Sequence, residues 1–277
     1  MAGTAAKVLG GCGIGCLLAS VLVVGMGWMG YRWVEDMSET VEQAEDVERQ
    51  LAEQFPDVDD FVPVADPGPP ADRLEVFGAI REALAEPRRQ LGAAISGVVP
   101  EEGEGGVMIG LGAARAGLSI APRAVEFVHS RNQALLEHGM GLGEYTWLYW
   151  LAYTAWLGHP ADDSLLHELI AEHQRGDGSV RFEMDGGPEP ERLTWQLRRD
   201  ITVMLEKLAA ELADDPADEE IHRVVTAELA RLADDPARVP FSDGLPEPLA
   251  AGLEPYRARL EAAYSSATNP FELRGFD

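Results

Sequence analysis

Two Glu-x-x-His pairs are the residues whose types and spacing best suit metal chemistry. They are Glu126 with His129 and Glu219 with His222. Carboxylate-bridged metal bundles use two such pairs on facing helices, with a glutamate from each of two further helices. On the helices that the hydrophobic spacing predicts, both glutamates point away from the core, so their ligand atoms do not converge. We therefore expect no metal site and no cofactor.

A second histidine cluster, His167 to His173, lacks the spacing of a metalloprotease. A zincin places its second histidine four residues after the first, where this chain has Ala171. The chain has no Gly-x-Ser-x-Gly motif, and its two cysteines, Cys12 and Cys16, both lie in an apolar N-terminal segment. The sequence therefore favours a non-catalytic role. The alternative is an enzyme or a metal-binding bundle with a site beside residues 141–158.

Glu144 is the acidic residue with the clearest functional potential, because it opens the apolar stretch Gly141–Gly158, GLGEYTWLYWLAYTAWLG. The simpler interpretation is an exposed carboxylate in a first helical turn, where the helix dipole favours a negative charge. The functional alternative is a partly buried acid paired with Arg131 or His129. A buried ion pair of this kind can be structural as well as functional.

The stretch Gly141–Gly158 is predicted to be the central helix of the fold. It is too short to span a bilayer and too long for an ordinary strand. At about 100° per residue, Leu148, Leu151 and Ala155 share a core face. Tyrosines lie on the opposite side, where they are either core residues with satisfied hydroxyls or the lining of a binding groove. The candidate binding surface comprises Tyr145, Tyr149, Tyr153, Trp156, Glu144 and Asn132, the last being a polar residue on a predicted core face that needs hydrogen-bond partners.

Helical periodicity predicts about seven helices that position these residues. No segment alternates with period two beyond a few residues near Val180, so the predicted fold is an all-α, helical-bundle-like soluble domain. Residues 100–117, rich in glycine, are expected to form a surface loop. Pro87 is expected to kink the first helix. The predicted helices are 73–95, 122–138, 141–158, 165–173, 189–213, 215–232 and 249–264.

An uncharged N-terminal segment, Val8 to Met29, predicts a single transmembrane helix. Lys7 and Arg32 flank this segment, and aromatic residues lie at its far end. A cleavable signal peptide and a lipoprotein signal are the alternatives, although no clear small-x-small cleavage site follows the segment. Gly11, Gly15 and Ala19 form a small-residue stripe that predicts a homodimer, though glycine is common in membrane helices in any case.

The soluble part of the chain is strongly acidic. All 48 acidic residues and 20 of the 22 basic residues lie at Glu35 or later, which gives this part a formal charge of −28. Such a surface repels phosphate backbones, so we expect no nucleic-acid partner. The predicted organisation is a membrane anchor (1–33), a juxtamembrane helix with a Pro/Asp-rich linker (34–71), and an acidic all-helical domain (72–277).

The anchor and the missing catalytic motifs together predict the function. We expect a single-pass protein of the cell membrane, whose soluble domain lies outside the cytoplasm and binds or scaffolds another component of the cell envelope. The ligand or protein partner is not identified by any motif in the chain.

Overall fold

Helices account for every regular element in the part of the chain that the structure describes. This computed structural model describes residues 43–64, 68–96, 108–159, 192–213, 219–250 and 252–273, and none of them is in a strand. The chain divides into two compact units, Met1–Glu45 and Asp46–Asp277. The all-α class is thus confirmed for the described residues. None of the described helices is long and apolar enough to cross a membrane, and Val8 to Met29 lies outside them.

Ten α-helices and several 3-10 turns follow one another along the described residues. Helices α2 and α3 pack on α4, α2 also packs on α5, and α6 pairs with α7. Helix α5 continues directly into a π-helix, Trp150–Trp156, whose backbone bonds span five residues instead of four. The α-helices are α1 (43–54), α2 (Ala71–Ala83), α3 (Ala85–Ser96), α4 (Met108–His138), α5 (Leu142–Tyr149), α6 (Arg192–Leu212), α7 (Glu219–Asp234), α8 (Glu247–Ala250), α9 (Arg257–Ala262) and α10 (Asn269–Glu272).

The predicted helix 73–95 is two helices, with the break at Leu84 instead of a kink at Pro87. Pro87 is the third residue of α3. The N–H groups of the first helical turn have no partner within the helix, so a proline there loses no hydrogen bond. Starting a new helix at Ala85 also removes the steric conflict that a proline causes in a helix interior. Apolar residues at helical spacing along 73–95 predict a core stripe, which is confirmed because its members are all buried: Phe77, Ile80, Leu84, Leu91 and Ile95.

Helix α4 begins earlier than the sequence predicted. Residues 108–117 were expected in a loop, yet they belong to α4, and Pro122 lies inside the helix instead of near its start. The glycines of this stretch suggested a loop, but its alanine and leucine residues favour a helix. The opposite error occurs at residues 249–264, which are not one helix but α8, a 3-10 turn (Glu254–Tyr256) and α9.

Apolar spacing along the predicted helix 189–213 indicates a core stripe, and this stripe is confirmed in α6. Its predicted inward-facing residues are buried wherever their side chains are described, namely Leu197, Ile201, Met204, Leu205, Leu208 and Leu212. The predicted helix 165–173 lies outside the described residues, as do residues 215–218 at the start of the predicted helix 215–232.

Part of the predicted linker packs on the helices. The 3-10 turn Val58–Asp60 contacts both α5 and α6, and the Lys207 ammonium donates to the backbone carbonyl of Asp59. Phe61, which follows the turn, lies against Gly143 at the start of α5. The predicted domain boundaries at 33 and 71 stay predictions, but residues 58–61 are held by the central helix.

Adding a methyl group at Gly143 should therefore loosen this contact. A Cβ atom there would lie 2.5 Å from the Phe61 Cβ and 3.3 Å from the Val58 Cα. We expect Gly143→Ala to lower the free energy of unfolding by about 1–3 kcal/mol, as overpacking does elsewhere. The matched control is Gly92→Ala in α3, where a Cβ meets nothing within 4 Å. That control should stabilise the protein by about 0.5–1 kcal/mol through helix propensity. Equal urea-unfolding midpoints for the two variants would contradict the close approach.

Candidate functional site

A cluster of buried polar side chains brings together α2, α3, α5, the π-helix and α10. We call it the arginine–tyrosine cluster, and its members are Arg81, Arg88, Tyr145, Tyr149, Tyr153 and Glu272. All six are buried, and Tyr145, Tyr153 and Glu272 are 0% exposed. Buried charges need opposite charges and hydrogen bonds to offset the loss of water. The contacts within the cluster therefore determine whether its polar groups are satisfied by the protein itself.

The Glu272 carboxylate is the centre of this cluster. Its Oε2 atom accepts hydrogen bonds from Arg81 Nη1 and, at 2.7 Å, from the Tyr145 hydroxyl. Its Oε1 atom accepts from Arg88 Nε at 3.0 Å and from Thr268 Oγ1 at 3.1 Å. Each carboxylate oxygen thus has two donors, and the two guanidinium groups come from different helices.

The tyrosine hydroxyls are occupied by groups of the protein itself. Tyr149 donates to Asn269 Oδ1, and Tyr153 donates to the Leu260 carbonyl at 3.2 Å. The Arg81 guanidinium lies 5.1 Å from the Tyr149 ring centroid and 5.0 Å from that of Tyr153, within the range of cation–π attraction. The simpler interpretation of the tyrosine stripe, a core face with satisfied hydroxyls, matches these contacts.

Arg131 and Asn132 on α4 connect the same region to α10. Arg131 Nη1 donates to the carbonyls of Phe271 and Glu272, each at 3.0 Å. Arg131 Nε and Nη2 donate to Asn132 Oδ1 at 3.0 and 2.8 Å. The prediction that Asn132 is buried and finds hydrogen-bond partners is confirmed.

The surroundings shift the pKa values of several of these groups. Burial, together with the neighbouring charge of Arg81, lowers the pKa of Arg88 to about 10. Burial likewise lowers the pKa of Arg131 to about 10. Both guanidinium groups therefore stay charged near neutral pH. Burial raises the pKa of Tyr149 and Tyr153 above the ordinary tyrosine value, so their phenols stay neutral.

The structure separates the six residues of the candidate binding surface into three environments. Tyr145, Tyr149, Tyr153 and Asn132 are buried, so an open groove along the tyrosines is not present. Trp156 is half-buried and faces Arg257, whose guanidinium carbon lies 4.1 Å from the ring centroid. The wider turns of the π-helix account for this separation, because a residue three positions after Tyr153 no longer continues the α-helical stripe.

Glu144, the remaining candidate, pairs with Arg73 and not with Arg131 or His129. Arg73 Nε and Nη2 donate to the two carboxylate oxygens, each at 2.6 Å, and Nη2 also donates to the Gly139 carbonyl at 3.1 Å. These hydrogen bonds raise the pKa of Arg73. This pairing arises because α2 packs on α5 and brings Arg73 to the first turn of that helix.

The Glu144–Arg73 pair forms part of the wall of a surface cleft. The cleft has a volume of about 210 Å³. Its other walls are largely apolar, and Val64 at the rim is 66% exposed. We call it the Glu144 cleft, and it is lined by Phe61, Val64, Pro69, Pro70, Arg73, Glu144, Trp147 and Leu148.

The predicted outward direction of both glutamates in the Glu-x-x-His pairs is confirmed. Glu126 is exposed and pairs with Arg123 on its own helix, and Glu219 is also exposed. Among the described residues, no group of three or more His, Cys, Asp or Glu side chains is placed to hold a metal ion. Residues 160–191, which include the His167–His173 cluster, lie outside the described part.

Sequence reasoning missed Arg81, Arg88 and Glu272. A signal was available for the two arginines, because both occupy the core stripe of Phe77, Leu84 and Leu91 at helical spacing. Two arginines on a predicted core face require a buried counter-charge. No comparable signal identifies Glu272, because α10 has four residues and no periodic pattern.

Comparisons with known proteins do not identify a function for this site. No protein-family model, no curated protein and no solved structure matches the chain.

The buried tyrosines should make the free energy of unfolding decrease at alkaline pH. Tyr149 and Tyr153 have raised pKa values in the folded state. Their stabilising effect is complete below about pH 10, the ordinary tyrosine value, and is lost as the pH rises above it, because only the unfolded chain then releases these protons.

An ultraviolet titration of phenolate absorbance checks this prediction. Native protein should ionise at least two fewer tyrosines near pH 10 than protein in urea, out of six in the chain. Tyr149→Phe should reduce the difference by one. Ionisation of all six tyrosines at the same pH in both states would contradict the buried cluster.

Proposed function

We propose that this protein is a membrane-anchored helical protein with a non-catalytic binding or scaffolding role at the cell envelope. The Glu144 cleft is the observation that carries the binding role. The buried cluster offers its polar groups to one another, whereas the cleft presents an apolar surface to solvent together with one charged pair. The enzyme or metal-binding alternative stays a prediction from sequence.

The lining of the Glu144 cleft suits an apolar side chain of a partner. Binding sites of this kind combine apolar walls with a small number of fixed polar groups. Phe61, Val64 and Pro70 provide the accessible apolar surface of the cleft. Trp147 and Leu148, which also line it, are almost completely buried. The Glu144–Arg73 pair provides a polar edge whose geometry is fixed by two hydrogen bonds of 2.6 Å.

The negative charge of the chain indicates which residues of the partner should flank its inserted apolar side chain. The acidic part of the chain has a formal charge of −28, which attracts basic segments and repels acidic ones over long distances. We therefore propose a protein partner that inserts an apolar residue flanked by lysine or arginine. Because the flanking contacts are exposed, raising the salt concentration should weaken binding.

Site-specific photocross-linking tests the binding role. A photoreactive amino acid replaces Val64 at the rim of the cleft in the full-length protein, within intact membranes. The matched control replaces Val62, which is also exposed, at 38%, but does not line the cleft. We expect a discrete cross-linked partner from position 64, several-fold stronger than from position 62 and weaker in high salt. Equal cross-linking from both positions, or none from position 64, would remove the proposal.

The anchoring part of the proposal needs a separate test. Deletion of residues 8–29 should move the protein from the membrane fraction to the soluble fraction, and protease added to intact cells with a permeable outer envelope should digest the wild-type domain. A wild-type protein that is already soluble would contradict the anchor. Thiol cross-linking at Cys12 and Cys16 tests the proposed dimer through Gly11, Gly15 and Ala19, and a strictly monomeric result would exclude it.

A further inference from the structure

Most of the groups that surround the Glu272 carboxylate lie outside the segment that carries it. We call Arg81, Arg88 and Tyr145 the carboxylate pocket. These residues come from α2, α3 and α5, whereas Glu272 comes from α10. Three of the four donors to the carboxylate belong to the pocket, and only Thr268 lies on the same segment as Glu272. The pocket donors thus lie on three helices other than the one that carries the carboxylate.

The orientation of the pocket donors is fixed by contacts other than Glu272. The Arg88 Nη1 and Nη2 atoms both donate to the Arg81 carbonyl at 3.3 Å. Arg81 Nη2 donates to the Ala263 carbonyl, and Arg81 Nε donates to the Tyr153 hydroxyl at 3.2 Å. Pre-organised donors of this kind bind a carboxylate more tightly than mobile ones, because little side-chain freedom remains to be lost.

The charge of the pocket requires an anion. Two guanidinium groups lie side by side, and Arg81 is 1% exposed and Arg88 7% exposed. A buried cation without its counter-charge is strongly unfavourable, and two neighbouring cations add mutual repulsion. Removing the Glu272 carboxylate therefore leaves two buried guanidinium groups without a counter-ion, which favours the binding of another anion of the same shape.

The segment that supplies Glu272 resembles a bound peptide in its contacts. Residues 266–273 are held through one side-chain carboxylate, through backbone carbonyls that accept from Arg131, and through the Asn269 amide oxygen that accepts from Tyr149. Polar recognition of a carboxylate together with nearby carbonyls is how proteins bind short acidic segments.

We propose that Arg81, Arg88 and Tyr145 form a carboxylate-binding site that residues 266–273 fill from within the chain, and that this site takes up a free aliphatic monocarboxylate when Glu272 does not fill it. The ligand class follows from the donor set, since two planar guanidinium groups and a hydroxyl match the two oxygens of one carboxylate. Spherical anions such as chloride offer no such match.

Chemical rescue of the full-length Glu272→Ala variant tests this proposal. The substitution deletes a CH2–COO⁻ group, for which acetate is the closest free equivalent. Thermal unfolding is followed in sodium acetate and in sodium chloride of equal ionic strength and pH. We expect the variant to have a lowered Tm that acetate raises in a saturable manner with millimolar half-saturation, while chloride does not. A shift that is absent, or the same in both salts, would overturn the proposal.

Two further variants separate occupation of the pocket from general salt effects. Glu272→Gln keeps the volume of the side chain, so acetate finds no space and should give no gain over chloride. Adding Arg81→Met to Glu272→Ala removes a pocket donor and should abolish the acetate effect. Acetate stabilisation of equal size in all three variants contradicts the site. If Glu272→Ala fails to fold in chloride, recovery of its circular dichroism signal in acetate alone supports the site, and failure in both salts overturns it.

Discussion

The fold depends on one buried carboxylate that lies between two arginines from different helices. Glu272 joins α10 to α2 and α3 through Arg81 and Arg88, and to α5 through the Tyr145 hydroxyl. Removing one partner of a buried ion pair costs about 3–5 kcal/mol, although an apolar set of the same shape can be equally stable. We therefore interpret the cluster as a device that selects one packing arrangement, in which residues far apart in the chain meet at one point.

The same constraint explains why the central helix has two different surfaces. Tyr145 lies in the buried cluster, whereas its neighbour Glu144 pairs with Arg73 at the surface cleft. Tyr149 at the end of α5 is also buried, and the π-helix that follows keeps Tyr153 inside and turns Trp156 toward Arg257. Burial of the tyrosine face thus fixes the orientation of the helix. Its other face, with the partly exposed Glu144 and the buried Trp147 and Leu148, lines the proposed binding cleft.

The sequence predicted the fold class and much of the core, because apolar spacing on a helix reports directly which side is buried. It predicted neither the break at Leu84 nor the π-helix, because these depend on packing between elements and not on local propensity. Arg81 and Arg88 were recognisable as charges on a core face, but Glu272 lies almost 200 positions later, and only the fold brings it to them. The pairing of Glu144 with Arg73 was missed for the same reason.

A double-mutant cycle on Arg88 and Glu272 tests the central claim most directly. Urea unfolding of Arg88→Met, Glu272→Gln and the double variant gives the coupling energy between the two side chains. An exposed pair on the same helix, Glu86 and Arg89, is the matched control and should couple by less than about 0.5 kcal/mol. We predict a coupling of about 1.5–3 kcal/mol for the buried pair. Effects that add within about 0.3 kcal/mol would contradict the account.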